Sequence, residues 1–317
     1  MRRCALLFAF VSLVLPVTIY SQTRTPDAAV SHFKNATKKV DSGDLDGAIE
    51  EYTRAIHLSS HLEGFDSSNR RLGNSFDDDS SENVRVIDPF TANAYNNRCL
   101  VRFRKKDLRG AIEDCDQALR IRPGLPSAYL NRAAALRELG DHEAALKDLD
   151  RAISLKKDFY EAFSNRGSLK LDMGDTNGAL VDLNRSIELN DHIPESYYQR
   201  GYTYIQLKKF DLAVADFERA VHLAPEMAWA YQGRGTALMQ TGKMDKAIAD
   251  FTRAIELDPQ VTWAYFNRGL ALVYLGHEGE AQKDFKEFLR LRPDLKTQLD
   301  DRIDLARELR QQHKPLQ

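Results

Sequence analysis

One pattern of 34 residues recurs seven times in this chain. Six copies follow one another without a gap, starting at Ala92, Pro126, Tyr160, Pro194, Ala228 and Thr262, and a seventh copy starts earlier, at Ala29. Self-similarity at this period is typical of stacked helix-turn-helix units, each of which buries its apolar face on its neighbours. The period therefore predicts a repeat array, an architecture suited to binding other molecules.

Within each copy, small and large residues occupy fixed positions at helical spacing. Position 8 is always small and position 20 is always alanine, whereas position 4 is aromatic in six copies and position 24 is mostly large. Positions 4, 8 and 11 share one face of a first helix, and positions 20, 24 and 27 share one face of a second. Glycine at position 15 in five copies predicts the turn between the two helices, and proline at position 32 in four copies ends the second.

With these positions the chain closely resembles the tetratricopeptide repeat (TPR) proteins over residues 29–293. The resemblance implies an all-α fold, a right-handed superhelix (α-solenoid) of antiparallel helix pairs. It also implies a concave groove lined by the first helices, in which such proteins hold a peptide or a partner segment. Residues 294–317 contain one more amphipathic stretch and are predicted to form a C-terminal capping helix and tail.

The N-terminus has the three parts of a secretory signal peptide. A short basic start, Met1-Arg2-Arg3, precedes a mostly apolar stretch from Ala5 to Val17, and Ser21 stands where signal peptidase would cut. We therefore predict a signal peptide over residues 1–21 and an exported protein, periplasmic or secreted. An uncleaved membrane anchor is the alternative, since the apolar stretch lies at the lower limit of spanning length.

The first repeat is separated from the others by an insertion. Residues 22–60 hold an N-terminal segment and repeat 1, and residues 92–293 hold repeats 2–7. The segment 61–91 between them is rich in Ser, Asp, Asn and Gly and predicts a solvated loop. Its acidic run, 77–82, lacks the spacing and the central glycine of a calcium loop, so no metal site is predicted.

Charge and motifs exclude several classes of function. Without Arg2 and Arg3 the chain has 45 − 2 = 43 basic residues against 47 acidic ones, a net charge of −4, which is unsuited to nucleic acid. No catalytic constellation, phosphate loop or metal motif is present, so we predict neither an enzyme nor a cofactor. The leading hypothesis is a scaffold or adaptor that binds an extended protein segment. The alternatives are a self-assembling scaffold, hence a homo-oligomer, and an accessory subunit of an extracytoplasmic complex.

Two cysteines of the mature chain stand in one repeat. Cys99 occupies position 8 and Cys115 position 24. Residues that face each other across an antiparallel helix pair have position numbers with a nearly constant sum, and these two cysteines nearly satisfy it. A disulfide between the helices is therefore possible in an oxidising compartment. The alternative is two buried thiols, because both positions otherwise take small or apolar residues.

A charged pair recurs in six copies by the same rule of facing positions. Position 7 is arginine and position 23 is aspartate, which predicts a structural ladder of ion pairs within or between repeats. The arginines are Arg98, Arg132, Arg166, Arg200, Arg234 and Arg268, and the aspartates are Asp114, Asp148, Asp182, Asp216, Asp250 and Asp284.

The candidate peptide-binding residues lie on the first helices. Amides recur at position 6, where they either bond to the backbone of an extended peptide or link neighbouring repeats; they are Asn97, Asn131, Asn165, Gln199 and Asn267. Aromatic residues collect in the C-terminal half, where they either contact a ligand or pack between repeats; they include Tyr198, Tyr202, Trp229, Trp263 and Phe266.

Overall fold

The computed structural model describes residues 25–60 and 89–312, and every regular element in these ranges is helical. The described residues divide into two compact units between Leu169 and Lys170. The predicted signal peptide and residues 61–88 of the predicted loop lie outside the described residues.

The first unit contains repeats 1–3 and most of the first helix of repeat 4. Its helices are α1 Asp27–Asp41, α2 Leu45–Ser60, α3 Pro89–Arg104, α4 Leu108–Ile121, α5 Pro126–Leu139, α6 His142–Leu155 and α7 Tyr160–Asp172, the last of which ends beyond the boundary. Helix α3 starts at Pro89, two residues before the predicted end of the loop at 91, because proline is well suited to the first turn of a helix.

The second unit contains the second helix of repeat 4, repeats 5–7 and a final helix. Its helices are α8 Thr176–Leu189, α9 Pro194–Gln206, α10 Phe210–Leu223, α11 Ala228–Gln240, α12 Met244–Leu257, α13 Thr262–Leu275, α14 Glu278–Leu291 and α15 Lys296–Gln311. A 3-10 turn, Pro293–Leu295, leads into α15, which packs against α13 and buries Leu299, Ile303 and Ala306. The predicted fold class, an all-α solenoid of antiparallel helix pairs with a capping helix, is confirmed.

The two helices of a repeat pack through a large residue that faces a small one. In repeats 5 and 6 the fully buried rings of Phe217 and Phe251, at position 24, lie against Gly201 and Gly235, at position 8. A methyl group on Gly235 would stand only 2.7 Å from the ring of Phe251, so the helices can approach this closely only with glycine there.

The turn between the helices of each repeat contains one residue in the left-handed region at position 15. Five of these residues are the predicted glycines, with φ between 76° and 90°. The other two are Lys106 and Lys208, with φ of 65° and 56°, so these two repeats make the same turn with a residue that is strained there.

An aspartate often follows this turn and caps the second helix. The side chains of Asp107, Asp141 and Asp175 each accept a hydrogen bond from the backbone N–H three residues later. This bond satisfies one of the free N–H groups of the first helical turn.

Candidate protein-binding face

The predicted charge ladder joins the two helices within a repeat. In five repeats the arginine donates two parallel hydrogen bonds of 2.6–2.8 Å, from Nε and Nη2, to the aspartate of its own repeat. The five aspartates are at most 6% exposed. Because Arg166 and Asp182 belong to different units, this sixth pair stays a prediction.

The third donor of the guanidinium reaches the preceding repeat, a contact that the sequence analysis missed. Nη1 of Arg98, Arg132, Arg166, Arg200 and Arg268 donates to a side-chain oxygen at position 25 of the repeat before, at 2.6–2.9 Å. The acceptors are Thr53, Asp116, Asp150, Asn184 and Thr252. The sequence signal that could have predicted this contact is the oxygen-bearing side chain at position 25 of these repeats.

The environment of these arginines favours a structural role. The guanidinium carbon lies 5.3–5.6 Å from the centre of the position-4 ring in five repeats. The hydrogen bonds that Arg132, Arg234 and Arg268 donate to their aspartates raise the pKa of each arginine above its ordinary value. Since their donors are already engaged inside the protein, the arginines have little capacity left to bind an external anion.

In repeat 1, a histidine–glutamate pair takes the place of the arginine–aspartate pair. Asn35 is exposed at position 7, and Glu51 at position 23 is bonded instead to Nδ1 of His32 at 2.7 Å and to Arg54 at 2.8 Å. The hydrogen bond from His32 holds the pKa of the Glu51 carboxyl below its ordinary value. The imidazole thus takes the place of the guanidinium in joining α1 to α2.

Most of the position-6 amides are buried or bond to a neighbouring repeat. Asn131 donates to Oδ1 of Asn96 on the preceding first helix at 3.0 Å, and Asn267 donates in the same way to Thr236 at 3.3 Å. Asn131, together with Asn165 and Gln199, is at most 6% exposed. For Asn131 and Asn267 the structure thus shows the inter-repeat bonding that was the alternative to peptide binding.

Asn97 and Gly233 complete the position-6 row. The amide of Asn97 reaches the hydroxyl of Tyr52 in repeat 1 at 3.5 Å. Gly233 interrupts the amides because the ring of Phe217 occupies the space, and a methyl group added there would stand 2.5 Å from that ring. The interruption therefore has a packing cause.

The aromatic candidates divide into buried and partly exposed residues. Tyr198 and Phe266 are 3% and 6% exposed. Phe266 packs on Trp263 and on the fully buried Phe288, with ring centres 5.3 and 5.0 Å apart. Both rings belong to apolar core clusters, so a ligand would have to displace apolar packing to contact Tyr198 or Phe266.

The partly exposed aromatics are Tyr202 on α9, Trp229 on α11 and Trp263 on α13. Trp229 and Trp263 both occupy position 2 of their repeats, and α11 contacts both α9 and α13. Each of the three rings packs on the core with part of its surface and leaves the rest accessible. These three residues are called the aromatic face below.

Cys99 and Cys115 form a disulfide in the structure. It joins α3 to α4 across a Cα–Cα distance of 5.6 Å, and both residues are fully buried. Positions 8 and 24 are the same pair that glycine and phenylalanine fill in repeats 5–7, so the disulfide replaces that packing contact in repeat 2.

Two other kinds of feature are absent from the described residues. No group of three or more His, Cys, Asp or Glu side chains within residues 25–60 and 89–312 could hold a metal ion. Among the helices that the structure describes, none is long and apolar enough to cross a membrane.

The period, the paired helices and the position-specific packing define a class of α-helical repeat proteins. Two family models, both described as "Tetratricopeptide repeat", match this chain, one at residues 126–159, 194–227 and 228–261 and the other at 264–295. The chain is a tetratricopeptide repeat protein. No curated protein sequence matches it.

Solved structures of similar fold include three TPR-like chains of low sequence identity. A tetratricopeptide repeat protein from Parabacteroides merdae is 19% identical, with a TM-score of 0.59, and the alignment covers 90% of this chain and 100% of that one. PilF of Pseudomonas aeruginosa is 16% identical with the same TM-score, over 70% and 97% of the two chains. A thermophilic TPR protein of Thermus thermophilus is 18% identical with a TM-score of 0.50, over 57% and 99%. These likenesses show the fold alone.

Tetratricopeptide repeats serve in general as non-enzymatic protein-interaction modules. The present chain is a protein-interaction scaffold of this class.

Proposed function

We propose that the chain is an exported adaptor that binds an extended segment of a partner protein along the first helices of its repeats. The observation that carries this proposal is the aromatic face of Tyr202, Trp229 and Trp263. Three large aromatic side chains, one from each of three successive first helices, keep part of their surface accessible.

Such side chains are suited to anchoring a partner. A tryptophan that is already packed along one edge loses little conformational freedom on binding, and it offers a large apolar surface with one N–H donor. Residues of this kind contribute most of the affinity in many protein interfaces. The even spacing of the first helices favours an extended ligand, which can contact one helix after another.

The amides contribute less to this proposal than the sequence suggested. Asn131 and Asn267 already donate to neighbouring helices, so their hydrogen bonds fix the spacing of the first helices. The selectivity for a partner then rests mainly on the aromatic face, since apolar pockets distinguish side chains.

An extracytoplasmic location is supported by two independent features. The first 21 residues have the pattern of a signal peptide. Cys99 and Cys115 are placed to form a disulfide, and such bonds persist in oxidising compartments.

A capture experiment with matched variants tests the proposal. The wild-type mature chain, Trp263→Ala and Phe210→Ala are immobilised, and the proteins that they retain from an extracytoplasmic extract are quantified by mass spectrometry. Phe210 is the control because it is a partly exposed aromatic residue on a second helix, α10. Circular dichroism verifies that each variant is folded.

We expect Trp263→Ala to retain a subset of partners at least about tenfold less well, as for an interface hot spot, and Phe210→Ala to match the wild type. Identical profiles for all three folded proteins would contradict the proposed binding face. Sedimentation of the wild type tests the alternative of self-assembly, which requires a mass that rises with concentration.

A further inference from the structure

One helix of the first unit carries polar residues where an amphipathic helix has apolar ones. Glu161, Ser164, Asn165 and Ser168 are spaced i, i+3, i+4 and i+7, so they share one face of α7. All four are buried, with exposures of 8%, 3%, 6% and 4%. This set is called the α7 polar stripe below.

Glu161 differs from the other buried carboxylates of the described residues. Five of those each accept two hydrogen bonds from an arginine: Asp114, Asp148, Asp216, Asp250 and Asp284. The other two, Glu51 and Asp182, also have charged partners. In Glu161 the atom Oε2 is enclosed and has no hydrogen-bond partner. A buried carboxylate oxygen without a partner is costly, because it loses its hydration and gains nothing in return.

A second enclosed atom occupies the same repeat position one helix earlier. Ser127, at position 2 of α5, corresponds to Glu161 at position 2 of α7, and its hydroxyl oxygen is likewise enclosed and without a partner. Two successive first helices therefore each present an unsatisfied polar atom at one position. Buried polar atoms without a partner require an explanation in a native protein. One explanation is a ligand group that forms the missing hydrogen bonds.

The basic residues of α7 are already engaged elsewhere. Arg166 donates to Asp150 at 2.7 Å, and Nζ of Lys170 lies 2.8 Å from Asp182. The negative charge of Glu161 thus has no internal counterion on its own helix.

We propose that the α7 polar stripe binds a positively charged group of the partner segment, an ammonium or a guanidinium, with Glu161 as its counterion. Ser127 supplies an additional oxygen as hydrogen-bond acceptor. The inference rests on the proposed function in that it requires a polypeptide ligand along the first helices, and it adds that this ligand carries a basic residue.

The charge of the ligand and of Glu161 can be varied separately. The probes are fluorescein-labelled octapeptides of Gly and Ser that contain four lysines, four arginines or four acetyl-lysines, each with a blocked N-terminus. A fourth probe has a free N-terminus and no basic side chain. Fluorescence anisotropy measures the binding of each probe to the wild type, to Glu161→Gln and to Glu143→Gln. The last variant is the control, because Glu143 on α6 is exposed and its replacement changes the net charge equally.

We expect the wild type to bind at least one of the cationic probes and not the acetyl-lysine peptide. Glu161→Gln should weaken this binding about tenfold or more, as expected for the loss of a buried charge pair, and Glu143→Gln should change it less than twofold. The probe that binds tightest identifies the group as lysine, arginine or an N-terminal amine. Equal binding of the acetyl-lysine peptide, equal effects of the two variants, or no binding of any cationic probe would overturn the inference.

The melting temperature of the ligand-free protein gives a second test that does not depend on a probe. If Glu161 serves a ligand, Glu161→Gln should raise the melting temperature, because it removes the charge from a buried group that has an oxygen without a hydrogen-bond partner. A lower melting temperature would assign the carboxylate to the fold and overturn the inference.

The outcome is distinguishable from that of the capture experiment. Unchanged capture by Trp263→Ala together with weaker lysine-peptide binding by Glu161→Gln would contradict the aromatic face and support the cation site. Weaker capture by Trp263→Ala together with unchanged lysine-peptide binding by Glu161→Gln would overturn the cation site alone.

Discussion

Asp148 accepts two parallel hydrogen bonds from Arg132, one from Nε at 2.7 Å and one from Nη2 at 2.6 Å. This pair joins the first helix of repeat 3 to the second, and Nη1 of the same arginine donates to Asp116 of repeat 2. One side chain therefore couples three helices of two repeats. In a linear array, where stability is a sum over neighbours, such contacts decide whether repeats unfold together.

Replacing Arg132 by alanine should destabilise the protein by on the order of 3 kcal/mol, because Asp148 would remain buried without its partner. The measurement is urea unfolding of the wild type and the variant. Arg185→Ala is the control, since Arg185 and Glu188 form an exposed pair that is expected to contribute less than about 1 kcal/mol. Equal losses for both variants would contradict the structural role of the ladder.

Replacing Gly233 by alanine should lower the stability although alanine is the better helix former. The added methyl group would stand 2.5 Å from the buried ring of Phe217, and such overpacking costs about 1–3 kcal/mol. The control is Gly279→Ala in α14, where nothing lies within 4 Å of the added group and a gain of about 0.5–1 kcal/mol is expected. Thermal unfolding distinguishes the two variants by the opposite signs of their shifts.

The Cys99–Cys115 bond should protect both thiols from iodoacetamide in protein that is purified from an oxidising compartment and unfolded without reductant. Reduction should expose both residues to alkylation, which mass spectrometry detects. Because 16 residues separate the cysteines, their replacement by alanine is expected to cost about 3 kcal/mol of stability. Full alkylation before reduction would rule the bond out.

The His32–Glu51 contact predicts a pH dependence of a definite sign. The hydrogen bond from His32 lowers the folded-state pKa of Glu51 below its ordinary value of 4.5. Its stabilising effect is therefore complete above that value and is lost as the pH falls through the lower, folded-state pKa. The melting temperature of the wild type should exceed that of His32→Ala at pH 6, and the difference should shrink on acidification towards pH 3. A constant difference over this range would contradict the coupling.

The sequence predicted the fold because a repeat supplies the same evidence many times. The residues at positions 7 and 23 change together between repeat 1 and the later copies, and the sum of the two position numbers predicts that Arg132 faces Asp148. The third donor of Arg132 was missed, because contacts between successive repeats depend on the angle at which they stack, and the period alone does not give this angle.

The candidate site was harder to predict for a related reason. Asn131 and Trp229 recur on the same first-helix face, and a pattern cannot tell whether a side chain on that face meets a ligand or the next repeat. The structure separates them, since Asn131 is buried and bonded to Asn96 and Trp229 remains partly exposed. Glu161 gave no periodic signal, because position 2 carries a glutamate in only one other copy, at Glu195, and a different residue type in most of the others.

The central claim, that partners bind at the aromatic face, can be tested directly because Trp229 and Trp263 are the only two tryptophans of the chain. The chain is labelled with 5-fluorotryptophan, and its two fluorine resonances, assigned with Trp229→Phe and Trp263→Phe, are recorded with and without an unlabelled partner from the capture experiment. We expect partner binding to shift both resonances and to lower their sensitivity to solvent. Two unchanged resonances in a complex that is shown to be fully formed would contradict the claim.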